Sequence, residues 1–284
     1  MIRRSLLTGA LALAAASPAR AERRRIVSVG SAVTEIVYAL GAQDLLVGVD
    51  TTSLYPEAAR SLPRVGYMRT LSAEGALSLR PTTVIATTAA GPREVLDQLR
   101  STGIEVVVLP DHYDYDSVVL KIEAIGRLTG KIEQASVLCT EGRSEMTRLE
   151  ERLAVLPSRP RVLFLLSMGG GAPQAAGQGT AADGIIRLAG GINAAQGYTG
   201  YRPLTPESVI ASRADFVLVT SQTVQALGGI DAIRNQPALS RTPAGKEGRI
   251  LAFDTLLLLG FGPRTPKAAV ELAAALHPDL AVRQ

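Results

Sequence analysis

Short runs of aliphatic and β-branched residues alternate along this chain with stretches whose apolar positions recur every three or four residues. The short runs predict strands at RIVSVG (25–30), LLVGVD (45–50), TTVIAT (82–87) and EVVVLP (105–110) in the first half. Those of the second half are RVLFLLS (161–167), DFVLVT (215–220) and RILAFD (249–254). Helical spacing predicts helices at 32–40, 72–79 and 93–101, then at 180–190, 206–212, 229–235 and 266–276. Strands alternating with helices in this way point to an α/β fold with mainly parallel sheets.

Residues 116–155 break the alternation. They carry no strand signal and no proline, and Glu–Lys and Glu–Arg pairs decorate the polar side of a helical apolar stripe. This pattern predicts a long helix broken near Gly130, a stiff strut between two lobes rather than a flexible tether. The predicted organisation is a leader at 1–21, an N-terminal lobe at 22–115, a helical linker at 116–157 and a C-terminal lobe at 158–284. A weak internal repeat agrees with two related lobes. LSAEGALSLRPTTVIAT (71–87) aligns with LTPESVIASRADFVLVT (204–220), placing Leu71, Glu74, Arg80, Val84 and Thr87 on Leu204, Glu207, Arg213, Val217 and Thr220. Just upstream, GYMR (66–69) falls near GYR (200–202).

The first residues change the reading of charge. Arg3 and Arg4, an apolar run from Leu6 to Ala16 and the small-residue site Ala19-Arg20-Ala21 make a secretory signal peptide, too short for a membrane anchor. The arginine pair leaves both the general and the twin-arginine export routes open. No cysteine stands at the cleavage point, so no lipid anchor is expected, and the mature chain would begin at Glu22 as an exported soluble protein. The whole chain has 30 basic and 26 acidic residues. Cleavage removes three basic residues and no acidic one, so the mature charge is close to neutral. With no run of five Lys or Arg, nucleic acid is not an expected partner. Cys139 is the single cysteine, which excludes a disulfide scaffold, and its apolar helical setting predicts a buried, inert thiol.

Few residues can carry chemistry. Glu74 and Glu207 each open a short helix, where exposed N–H groups favour a carboxylate. They can serve as simple caps, or as two carboxylates that meet arginines on a partner. Tyr67 and Arg69, if the segment is extended, point to the same side. They can be a packed loop tyrosine with a surface arginine, or a phenolate for ferric iron with a cation that favours its charged form. Two histidines, His112 and His277, exclude a three-histidine zinc site. His277 reads as a surface residue at a helix end. His112 follows a strand and is a candidate for a cleft at the carboxyl ends of parallel strands. Met168 precedes a glycine run, either as packing or as a soft ligand. No nucleophile elbow, phosphate loop or acidic calcium cage is present, so no enzyme activity is expected.

VSVGSAVTEIVYALGA (27–42), GYMRTLSAEGALSLRP (66–81), AAGQGTAADGIIRLAGG (175–191) and GYRPLTPESVI (200–210) together carry a family resemblance. The chain resembles the substrate-binding proteins with a helical backbone that feed ABC importers for haem, siderophores and cobalamin, and most closely the periplasmic haem-binding proteins. GYMR with the following LSAEG is the most specific part. The resemblance implies two Rossmann-like lobes joined by the strut, with the ligand in the interlobe cleft. It implies haem b as the transported ligand, Tyr67 as its axial iron ligand and Arg69 beside the phenolate, with Tyr201 and Arg202 on the opposite wall. Glu74 and Glu207 match the glutamates that engage arginines on the permease, which works with its ATPase. Some haem-binding relatives carry a histidine where this chain has Met168, so one haem held mainly through Tyr67 is expected.

The resemblance therefore implies a monomeric periplasmic carrier with small lobe motions, whose cargo leaves when the permease pulls at Glu74 and Glu207. A ferric-siderophore or cobalamin binder of the same fold is the alternative. An exported cleft enzyme is a further one, opposed by the missing motifs.

Overall fold

The computed structural model describes residues 24–166, 173–278 and 280, so the predicted leader and Met168 lie outside the described residues. In the first half β1 (Ile26–Val29), α1 (Ser31–Ala39) and β2 (Leu46–Val49) are followed by a hairpin, β3 (Gly66–Tyr67) and β4 (Thr70–Leu71). Then come α2 (Ala73–Ser78), β5 (Thr83–Thr87), α3 (Arg93–Ser101) and β6 (Glu105–Leu109). Two helices, α4 (Tyr115–Thr129) and α5 (Ile132–Ala154), lead to the second half. It opens with β7 (Arg161–Leu166), β8 (Gln174–Ala176), α6 (Ala181–Leu188), β9 (Ile192–Asn193), β10 (Tyr201–Pro203) and α7 (Pro206–Ser212). It closes with β11 (Phe216–Thr220), α8 (Ser221–Ala226), α9 (Ile230–Arg234), α10 (Pro243–Glu247), β12 (Ile250–Phe253), α11 (Thr255–Leu259) and α12 (Thr265–Leu276).

Every strand predicted from the pattern is present, within one residue at each end. The pattern gives no sign of β3, β4, β8, β9 and β10, because strands of two or three residues are too short to display a period. The first sheet has the order β2-β1-β5-β6 and is parallel throughout. The second, β10-β8-β7-β11-β12 with β9 beside β7, is parallel at β7, β9, β11 and β12 but antiparallel at β8 and β10.

Alternation along the central strands splits each sheet's side chains between two layers. Val27 and Val29 face the packing of α2 and α3, while Ile26 faces α1 and α4. In the second sheet Leu163, Leu165, Val217 and Val219 face one core, and Val162, Phe164, Phe216 and Leu218 face the other. That other core is shared. It runs without interruption from Ile36 and Ile122 through Met146 and Leu149 to Ile185 and Leu272, so both halves pack on the same helical layer.

The predicted break in the strut is a reversal. Gly130 ends α4 in the left-handed region, φ 71°, a conformation that glycine adopts without Cβ strain. The chain turns back and α5 lies antiparallel on α4, with Arg143 on Asp116 at 2.9 Å. Only α5, 23 residues and about 35 Å long, runs between the halves. Cys139 is buried within this pair, and burial raises its thiol pKa. Gly142 is where α5 passes the Tyr115 hydroxyl, which a Cβ would overlap. Gly142→Ala gains about 1 kcal/mol of helix propensity but overpacks a core site at about 1–3 kcal/mol. A lowered urea midpoint is therefore expected, and a raised one would show that Tyr115 yields freely.

A second tie joins the halves. Glu35 of α1, buried, receives two hydrogen bonds from Arg264 before α12, Nε to Oε1 at 2.9 Å and Nη2 to Oε2 at 2.8 Å. The Arg264 guanidinium also lies 3.5 Å from the centre of the Tyr55 ring. His277 does end a helix, α12, but it is buried against Gly190 rather than at the surface.

The internal repeat is visible in backbone detail. Ser72 caps α2 by accepting from the Gly75 N–H, and its counterpart Thr205 caps α7 by accepting from the Ser208 N–H. Arg80 and Arg213, aligned in sequence, leave these helices with φ of 47° and 46°. Val84 and Val217 then occupy buried central strands.

Candidate functional site

In the first sheet, chain connections leave β1 toward β2 on one side and return to β5 on the other. The carboxyl ends of β1 and β5 thus form a switch point, the place where open α/β sheets receive ligands. Gly30 and Thr87, just at those ends, line a cleft of about 320 Å³. Across it stand Thr180 at the start of α6, Gly200 and Tyr201, so the cleft lies between the two halves.

Asp50 organises the near wall, and sequence reasoning missed it. Its fully buried carboxylate accepts from the Gly30 N–H at 2.9 Å, the Ser53 hydroxyl at 2.7 Å, and the Thr52 N–H and hydroxyl at 2.9 and 2.6 Å. Four donors satisfy a carboxylate that would otherwise be costly to bury. The signal was Asp-Thr-Thr-Ser directly after a strand, the composition of a side-chain-bonded turn.

The β3–β4 hairpin projects beside this wall. The extended reading of the GYMR segment holds only as far as Tyr67, since the chain turns at Met68 and Arg69 and Tyr67 pairs with Thr70. Backbone bonds brace the hairpin on both flanks, from Thr51 N–H to Gly66 O and from Gly91 N–H to Met68 O, each 2.9 Å. Met68 and Arg69 line the cleft. Tyr67 is 40% exposed and outside that lining, and its phenol makes no hydrogen bond among the described residues.

Two further phenols share the cleft lining with Arg69. Tyr113, on the loop between β6 and α4, and Tyr201, on β10, both line the cleft. Burial raises the Tyr113 pKa, with Asp111 adding to it and Arg69 opposing it. Burial pushes Tyr201 up to about 12, with Tyr113 adding and Arg69 opposing. Arg202, the next residue on β10, points elsewhere, its guanidinium 4.9 Å from the Tyr198 ring centre. This is the period of a strand at work. His112 is exposed, while its neighbours Asp111 and Tyr113 take the cleft positions.

Asp111 is paired with Lys121 of α4 at 2.6 Å, and Lys121 is almost wholly buried. Glu74 and Glu207 lie exposed in the first turns of α2 and α7, without a hydrogen bond or ion pair among the described residues. No group of three or more His, Cys, Asp or Glu among the described residues is arranged to hold a metal ion.

A family model described as periplasmic binding protein matches residues 26–255. The chain belongs to this family, two-lobed proteins with an interlobe cleft. Among its relatives, the Bacillus subtilis protein YvrC, an uncharacterized ABC transporter substrate-binding lipoprotein, is 28% identical over 261 residues, 91% of this chain and 81% of that protein. The vitamin B12-binding protein of Yersinia pestis is 28% identical over 216 residues, 76% of this chain and 75% of that protein. Among solved structures, the periplasmic heme-binding protein RhuT from Roseiflexus sp. RS-1 superposes with a TM-score of 0.85 at 40% identity, covering 90% of this chain and 99% of that one.

Proposed function

We propose that this chain is a periplasmic substrate-binding protein that captures haem and delivers it to the permease and ATPase of an ABC importer. The carrying observation is the braced hairpin that presents an unbonded Tyr67 phenol and Arg69 beside the interlobe cleft. Phenolate is an established axial ligand of ferric haem. The likeness to a heme-binding protein at 40% identity over almost the full length supports haem above cobalamin, whose binder shares 28% over three quarters of the chain. Tyr67 is the iron ligand in this reading. Tyr201 lines the cleft wall of the other lobe, and Arg202 supports that wall by holding Tyr198. Lobes at 22–115 and 158–284, joined by the helical segment 116–157, enclose the cargo. The protein acts as a monomeric carrier without enzymatic activity, exported by its leader.

Titration of mature protein, residues 22–284, with haemin and separately with cyanocobalamin tests the reading. A saturable Soret shift with haemin alone supports it, and tight binding of cyanocobalamin alone replaces haem by a corrinoid.

Glu74 and Glu207 are the docking carboxylates in this scheme. Charge reversal at both, Glu74→Lys with Glu207→Lys, is expected to leave haemin affinity unchanged. Like charges placed against a partner's arginines cost several kcal/mol, so binding to permease-containing vesicles should fall by at least about tenfold. Undiminished permease binding would leave these residues only as first-turn carboxylates that complement the helix dipole.

A further inference from the structure

Among the described residues the cleft lining carries one cation and two phenols, distinct from the Tyr67 phenol proposed for iron. Among the described lining residues Arg69 and Asp111 are the charged ones, and Asp111 already has an oxygen on Lys121 at 2.6 Å. Arg69 has no hydrogen bond or ion pair among the described residues, and its charge is felt at both Tyr113 and Tyr201. Both phenols keep their protons at neutral pH, so each can donate.

Tyr113 is held in place with unusual care. Its φ of 52° lies in the left-handed region, which a bulky residue rarely adopts. Arg187 of α6 donates to its carbonyl at 3.3 Å, Phe261 meets its ring edge-on with centroids 5.3 Å apart, and Gly184 of α6 leaves room for its backbone, which a Cβ would overlap. All three contacts come from the opposite lobe. Backbone strain maintained by surrounding structure marks a position whose side-chain direction matters.

We propose that Arg69, Tyr113 and Tyr201 form a carboxylate-binding subsite, which holds a propionate of the porphyrin, with Tyr113 as a specificity-determining residue. This rests on the haem reading above. A guanidinium that shares a cleft lining with two O–H donors matches a carboxylate, the group that Arg recognises best. Arg69 then serves the edge of the ligand rather than the Tyr67 phenolate.

Binding of haemin and of its dimethyl ester, whose propionates are blocked, separates the two roles. Wild-type protein is expected to prefer haemin roughly tenfold or more, as for a hydrogen bond to a charged group. Tyr113→Phe, which keeps the ring against Phe261, and Arg69→Gln should each weaken haemin by a similar factor and leave the ester within twofold. Equal affinity of wild type for haemin and ester would overturn the subsite while leaving haem binding intact. Equal weakening of both ligands by Arg69→Gln, with a shifted charge-transfer band, would return Arg69 to the iron ligand. Failure of wild type to bind either ligand would remove the haem reading itself.

Discussion

Tyr67→Ala is expected to lower haemin affinity by at least about 100-fold, with loss of the tyrosinate charge-transfer band. Even groups that only orient a metal ligand cost 10–100-fold when removed, so loss of the ligand should reach at least the upper end. The phenol is 40% exposed and carries no hydrogen bond among the described residues, so its removal leaves no buried group unpaired. Such surface substitutions change stability by about 0.5 kcal/mol or less. Binding and folding are therefore separable here, and an unchanged melting temperature beside lost affinity is the expected pair of results. Tyr67→Phe refines the test, because it keeps the ring and removes only the oxygen. It should resemble the alanine variant if the oxygen holds iron, and resemble wild type if the ring merely stacks on the porphyrin. Affinity within twofold of wild type in both variants would move the iron ligand elsewhere, with Tyr201 the next cleft phenol to test.

The second large effect concerns the tie between lobes. Glu35 is 7% exposed, and its carboxylate accepts two hydrogen bonds from Arg264, 229 positions away. Burial works against the charged guanidinium, but the Glu35 hydrogen bond and the charges of Glu35, Tyr55 and Asp254 raise its pKa above the usual value. Breaking a buried pair by removing one partner costs about 3–5 kcal/mol. Arg264 keeps 23% of its side chain in water, which places Glu35→Gln toward the lower end, about 3 kcal/mol. For a chain of this size that lowers the melting temperature by about 6–12 °C. A double-mutant cycle with Arg264→Gln should show that the two losses do not add, because the second change removes a partner already lost. Strict additivity would mean that the pair contributes nothing as a pair. The same variants should release haemin faster, since the pair ties α1, beside the near wall, to the start of α12 in the other half.

Prediction and structure meet most closely where the pattern is long enough to repeat. The buried parallel strands β1, β5, β7 and β11 read as continuous aliphatic runs because both of their faces are covered. The hairpin that carries Tyr67 has two residues per strand and shows no period. Its turn at Met68-Arg69 separates two residues that an extended chain would have kept on one side. In the linker, the left-handed glycine at 130 was legible as a break, whereas the reversal of direction depended on α5 finding the apolar face of α4.

Local chemistry in the amino-acid order thus determined the longer strands and helices, though not the shortest ones. It determined that two halves share one helix–strand plan, and that a Tyr-Arg segment precedes an acidic helix in each. Only the tertiary structure decided what those residues face. Arg69 shares the cleft lining with Tyr113 and Tyr201, Arg202 turns to Tyr198, and His112 gives up the cleft to its neighbours. Asp50, Tyr113 and the Glu35–Arg264 pair gain their roles from partners in other elements, in the last case more than two hundred residues distant. Periodicity is a property of neighbours along the chain and survives in the sequence. Burial, pairing and the direction of a side chain across a cleft depend on contacts between distant segments, which exist only once both lobes have packed on the shared helical layer.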